Sequence, residues 1–131
     1  MGGLTEEQIQ ELGERLRLRR AELTEDIREE MLRSDEESYV ALAGQVHDAG
    51  ESSVADLLSD VNLHTVEQDI RELREVEDAM QRMDLDTYGV CEECGAPIGF
   101  ERLKAYPTAR RCLEDQARHE RLYAEGKGPS L

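Results

Sequence analysis

A mainly α-helical fold is predicted, a long antiparallel helical hairpin of coiled-coil character followed by a small cysteine-bearing knuckle and a C-terminal helix. Three observations predict it. Two long segments carry apolar residues at steps of three, four and seven, the spacing of one stripe on a helix. Aromatic residues make up 4% of the 131-residue chain, with no Trp and one Phe. That suits helices sharing a narrow aliphatic seam better than a globule filled by large rings. Beyond residue 85 the pattern changes, and a Cys-x-x-Cys pair is followed by a third cysteine.

The first helix begins at Thr5-Glu6-Glu7-Gln8, where Thr5 can cap and Gln8 stands at the capping-box position. Ile9, Leu12, Leu16, Leu23, Ile27 and Met31 form its stripe, and the helix is expected over about residues 5–33. Residues 34–38 interrupt the pattern. Ser34 can cap a restart in which Tyr39, Val40, Leu42 and Val46 form a short helix, and whether helix 1 continues through 34–47 is open at this level. Asp48-Ala49-Gly50 is a strong turn signal. Ser52 or Ser53 then caps a second long helix through about Met83, with Val54, Leu57, Val61, Val66, Ile70, Leu73, Val76, Met80 and Met83 on its apolar side. Such a helix would be on the order of 45 Å long. The expected division is therefore a hairpin over 1–84 with its tip near 48–53, a knuckle with its helix over 85–125, and a short tail over 126–131.

The knuckle carries the chemistry. Cys91-x-x-Cys94, seventeen residues, then Cys112-x-x-Asp115 has the spacing of a four-ligand zinc site with Asp115 in the place of a fourth cysteine. Two ligands three apart face one ion across a tight turn, and two such pairs complete a tetrahedron. Carboxylate oxygen is a harder donor than thiolate, and His119, one helical turn past Asp115, is an alternative fourth ligand. The competing reading is a metal-free knuckle held by packing of Tyr88, Ile98, Phe100, Leu103 and Tyr106. Redox chemistry at Cys91 and Cys94 is disfavoured, because no βαβ pattern surrounds the pair.

Charge narrows the function. The net charge of −15 disfavours nucleic acid, whose phosphates need Lys and Arg. It points instead to a basic protein partner. No apolar run approaches the ~20 residues of a membrane span, no secretory signal is visible at Met1, and Glu6 removes a myristoylation start. A cytoplasmic protein is expected. No Ser/His/Asp arrangement, phosphate loop or HExxH pattern occurs. His47 and His64 read as ordinary packing or surface residues, and no enzyme is indicated.

The run Tyr88-Gly89-Val90-Cys91-Glu92-Glu93-Cys94-Gly95, with Pro97-Ile98-Gly99, Arg102-Leu103, Ala105, Pro107-Thr108-Ala109 and Cys112, resembles the DksA/TraR family of C4-type zinc-finger proteins. The resemblance covers about residues 86–122, and the preceding hairpin fits the same order. It implies a bacterial transcription regulator that binds RNA polymerase rather than DNA, with the coiled coil in the secondary channel and acidic tip residues near the active centre. The family's tip motif, Asp-x-x-Asp-x-Ala, falls on Asp48, Glu51 and Ser53. Asp48 matches, Glu51 keeps the charge, and Ser53 replaces the small apolar residue. Three positions that in some members hold guanosine tetraphosphate with basic side chains fall on Glu75, Tyr106 and Gln116. None is basic, so this nucleotide is not expected as a ligand. The alternatives are a coiled-coil adaptor whose finger is only structural, and a metal or thiol sensor centred on the cysteines.

Overall fold

The computed structural model describes residues 3–34, 36–50 and 52–127, without the side chains of 124–127. It is mainly helical, as predicted. Helix α1 spans Glu6–Leu32, α2 Glu37–His47, α3 Val54–Leu57, α4 Glu67–Asp84, α5 Phe100–Ala105 and α6 Leu113–Lys127, with a 3-10 turn at His64–Val66 before α4. The hairpin is α1 against α4.

Helix α1 starts where its capping box lies. Thr5 Oγ1 accepts from Gln8 N at 3.1 Å, and Gln8 Oε1 accepts from Thr5 N at 3.0 Å, which satisfies two backbone donors that a helix start otherwise leaves open. The predicted stripe is the core: Leu12, Leu16, Leu23, Ile27 and Met31 are buried against Val66, Ile70, Leu73, Val76 and Ala79. Ile9, in the first turn, is exposed. Charged pairs flank the seam, with Arg19 bidentate on Glu72 at 2.6 and 2.7 Å. On the same flank burial raises the Asp69 carboxyl above its ordinary value, helped by the nearby Asp26 and Glu72.

The second strand of the hairpin departs from expectation. It is not one helix from 53 to 83. Helix α3 has four residues, a non-helical link follows, and the main helix, α4, has 18 residues, so it is about 27 Å long rather than 45. The link contains Ser59, Asp60 and Asn62, short polar residues that compete for backbone hydrogen bonds, and Asn62 N donates to the Tyr39 hydroxyl at 3.4 Å. Helix α1 also stops, at Leu32, and the restart at Glu37 gives α2 as a separate helix. Helix α2 runs back along α1, burying Ala43 and Val46.

As a result the 48–53 turn does not lie at the free end of the hairpin. It sits beside its middle, where Arg20 donates to Ser52 O at 2.9 Å and to Glu77 Oε2 at 2.9 Å. Glu77, whose side chain is 13% exposed, also accepts from Ser53 Oγ at 2.8 Å, Val54 N at 3.0 Å and Ala55 N at 3.1 Å. Burial alone would push its carboxyl up. The Ser53 hydroxyl, the Arg20 guanidinium and the two amides more than offset this and hold it below the ordinary value.

Two outcomes follow. Leu73→Ala, at a fully buried seam position, should cost about 2–5 kcal/mol in urea unfolding; a loss below about 1 kcal/mol would show that α1 and α4 are not packed through this residue. Glu77 is depressed in the fold, so its contribution is complete above the unfolded carboxyl value of about 4.3. It is lost as pH falls through the lower folded value. Glu77→Gln should therefore be less stable than wild type by about 2 kcal/mol near neutrality, with the gap closing below about pH 4. A gap that persists unchanged into acid rules out the charged form as the source.

Candidate metal centre

The knuckle is built from glycine-enabled turns. Cys91 N donates to Ala96 O at 2.8 Å, Gly95 N to Cys91 O at 3.0 Å and Ile98 N to Gly89 O at 2.8 Å. Val90 pairs with Pro97 in an isolated antiparallel bridge. Gly95, at φ +74°, closes the turn in the left-handed region that side-chain-bearing residues avoid. Gly89, at φ +84°, meets the Leu4 side chain, and a Cβ there would stand 3.0 Å from Leu4 Cδ1. That contact and the Arg15 Nη1 donation to Lys104 O at 2.8 Å seat the knuckle on the start of α1.

Cys112 immediately precedes α6, and Asp115 lies in its first turn. The first turn presents both toward Cys91 and Cys94. The four donors, Cys91, Cys94, Cys112 and Asp115, lie within 4.8 Å of one another. Asp115 Oδ2 is 3.1 Å from Cys91 Sγ and 3.4 Å from Cys112 Sγ, and Cys94 Sγ is 3.9 Å from Cys112 Sγ. A tetrahedral zinc with bonds of about 2.3 Å to sulfur and 2.0–2.2 Å to oxygen sets its donors about 3.8 Å (S to S) and about 3.5 Å (S to O) apart. The donor set therefore fits a four-coordinate ion. Asp115 is buried, and its other oxygen, Oδ1, is 3.2 Å from Arg118 Nη1. That arrangement leaves one oxygen for the thiol side, the outer-shell orientation a carboxylate ligand needs.

The electrostatics match the crowding of acceptors. The hydrogen bond to Asp115 pushes the Cys94 thiol up to about 12. Burial works to raise Cys91 as well, but the amides of Cys94 and Cys112 prevail and its thiol lies below the ordinary value. The thiols of Cys94 and Cys91 hold the Asp115 carboxyl down. His119 is outside this group. It is 3.8 Å from Glu93 and stacks on Tyr123.

The packing beneath the knuckle corrects one sequence expectation. Tyr88, Ile98 and Leu103 are buried and Phe100 packs against them. Tyr106 is 63% exposed and lies under the Arg102 guanidinium. Sequence reasoning also missed Arg111, which pairs with Glu92 and Glu93 and whose carbonyl accepts from Arg102. Nothing in residue spacing marks it. Glu75, Tyr106 and Gln116 converge on one open cleft with Arg102, Arg110 and Arg111. Its arginines are engaged, Arg110 by Asp78 at 2.6 Å. Of the turn residues, Asp48 is exposed, Ser53 caps α3 by accepting from Asp56 N at 3.1 Å, and Glu51 lies outside the described residues.

The prokaryotic dksA/traR C4-type zinc-finger model matches residues 86–121. The RNA polymerase-binding transcription factor DksA of Caulobacter vibrioides is 35% identical over 99 residues, 72% of this chain and 68% of that protein. The chain belongs to the DksA/TraR family. General stress protein 16O of Bacillus subtilis is 35% identical over 87% of this chain and 69% of its own length. The structure of the transcription factor DksA2 from Pseudomonas aeruginosa aligns with a TM-score of 0.60 at 26% identity, over 90% of this chain and 87% of that one. No described helix is long and apolar enough to cross a membrane.

Proposed function

We propose that this chain is a bacterial, cytoplasmic transcription regulator that binds RNA polymerase directly, inserting its helical hairpin into the secondary channel rather than binding DNA. The observation that carries this reading is the extent of the Caulobacter match. At 99 residues it is more than twice as long as the finger match over residues 86–121, so it takes in hairpin as well as knuckle. Charge supports it: the net charge of −15 repels phosphate backbones and suits a channel lined by basic groups. In this reading Asp48, Glu51 and Ser53 are the residues that act on the partner, with Asp48 the exposed acid among those described. The protein has no catalytic step of its own. Guanosine tetraphosphate is not its ligand, since Glu75, Tyr106 and Gln116 supply no cation and the neighbouring arginines are already paired.

Cys91, Cys94, Cys112 and Asp115 hold one zinc ion in this reading, and the ion cross-links the knuckle to the start of α6. Its contribution is structural, because four protein donors leave no open position for a substrate.

Purified protein should carry about one zinc per chain. Asp115→Cys should retain it more tightly and Asp115→Ala should lose about tenfold or more in affinity, read by competition with a chromogenic chelator. Full zinc retention in Asp115→Ala removes the aspartate from the site.

For the partner, the wild-type chain should co-purify with core RNA polymerase. Asp48→Arg should leave that binding within a few-fold and abolish most of the effect on sensitive promoters in a purified system. Failure of the wild-type chain to bind polymerase overturns the reading in favour of an adaptor for another protein. An undiminished promoter effect in Asp48→Arg overturns the role of the turn.

A further inference from the structure

The two ligand pairs of the knuckle are tied together by a group that belongs to neither. Arg111 stands immediately before Cys112, and its side chain is 18% exposed. Its Nε donates to Glu93 Oε1 at 2.9 Å, its Nη2 lies 3.6 Å from Glu92 Oε1, and its Nη1 donates to Gln116 Oε1 at 3.4 Å. Glu92 and Glu93 are the residues between Cys91 and Cys94, and Gln116 directly follows Asp115. One planar guanidinium therefore grips the inside of the first pair and the far end of the second. The backbone beneath it is fixed as well. Arg102 Nε donates to the Arg111 carbonyl at 3.1 Å, and Glu92 N donates to Arg110 O at 2.9 Å.

The same contact answers a problem of charge. Metal ligands bind deprotonated, so three thiolates and a carboxylate around one dication leave a centre of negative charge. Glu92 and Glu93 place further carboxylates in the Cys91–Cys94 loop, and like charges nearby disfavour the thiolate form. Arg111 faces both of these acids. His119 approaches Glu93 from α6 at 3.8 Å, and Arg118 faces Asp115. The sulfur of Cys91 is where the two segments meet, since the amides of Glu93, Cys94 and Cys112 are all aimed at it. Residue 93 pairs with Arg111 and residue 112 follows it, so a loop released by Arg111 would turn those amides away from the sulfur.

We propose that Arg111 is a positioning residue of the metal centre, clasping the Cys91–Cys94 loop to the Cys112–Asp115 turn and offsetting the glutamates beside the thiols. The partners of its guanidinium include none of the four donor atoms. It acts through the loops that carry them, unlike Arg118, whose partner is Asp115 itself. Such a clasp matters most where one donor is weak. The Asp115 oxygen is a harder donor than a fourth thiolate, and ligands already held in place lose less freedom when the ion binds. This role rests on the zinc reading above.

Zinc affinity of the full chain, measured by competition with a chromogenic chelator, tests the clasp. Arg111→Gln removes both the charge and the fork and should lose about tenfold in affinity. Arg111→Lys keeps the charge without the fork and should fall between that variant and wild type. A folded Arg111→Gln that binds zinc as tightly as wild type overturns the proposal. Should that variant not fold, Arg111→Lys decides, and wild-type affinity in it is the overturning result. Coupling to Glu93 separates positioning from mere packing. In a Glu93→Gln background the main contact is already broken, so adding Arg111→Gln should cost no more than about twofold. A loss that stays near tenfold there assigns Arg111 to packing and removes the clasp. A wild-type chain that takes up no zinc refutes the metal reading and this role with it, whereas equal binding by wild type and Arg111→Gln refutes the role alone.

Discussion

One half-buried carboxylate sets the arrangement of the hairpin. Glu77 stands midway along α4, and its two oxygens take donors from α1, from the cap residue of α3 and from two amides of α3 itself. A buried carboxylate with no partners would instead be protonated or displaced. Here four donors outweigh the cost of desolvation, and the acid stays ionised. Because those donors come from segments far apart in sequence, satisfying this charge also decides where residues 52–57 lie. The position of the turn, the shortness of α3 and the break before α4 are linked through that single group.

This explains what could and could not be read from the residues. The seam was legible: Leu12, Leu16, Leu23, Ile27 and Met31 on one side, with Ile70, Leu73 and Val76 on the other, follow from a helical period, and all are buried. The start of α1 was legible from Thr5 and Gln8, because a capping box is a local interaction. The break over 58–63 was not. Ser59, Asp60 and Asn62 weaken the helix there, but its apolar residues keep the helical spacing, and tertiary contacts between residues 53–55 and residue 77 fix where α3 lies. Periodicity reports which face is buried, and it is silent about whether the backbone between two buried residues is continuous.

The knuckle divides along the same line. The spacing of Cys91, Cys94, Cys112 and Asp115 was sufficient to bring four donors together, since tight turns and a first helical turn are short-range geometry. The surroundings were less legible. Tyr106 was expected beneath the knuckle and instead lies outside it under Arg102, whose guanidinium reaches back to the Arg111 carbonyl. An aromatic ring with a polar tip is accommodated either way, and a neighbouring arginine decides the matter. The inner layer of Tyr88, Ile98 and Leu103 is small, too small for a finger of this length to depend on packing alone. That favours an ion as the remaining cross-link.

The arginines complete the account of charge. Arg19, Arg20, Arg110 and Arg111 each pair with an acid on a different segment. Arg19 and Arg20 staple α1 to α4, Arg110 staples the knuckle to α4, and Arg111 ties two stretches of the knuckle together. Each pair takes up one cation and one anion, so the net charge of −15 is carried by the acids left over. A protein arranged in this way gains cohesion between its parts while keeping a strongly acidic balance. The field it presents is one that a positively charged protein groove can recognise. Asp48 is exposed, whereas the Ser53 hydroxyl donates to Glu77 at 2.8 Å, so of these two residues only the acid is turned outward.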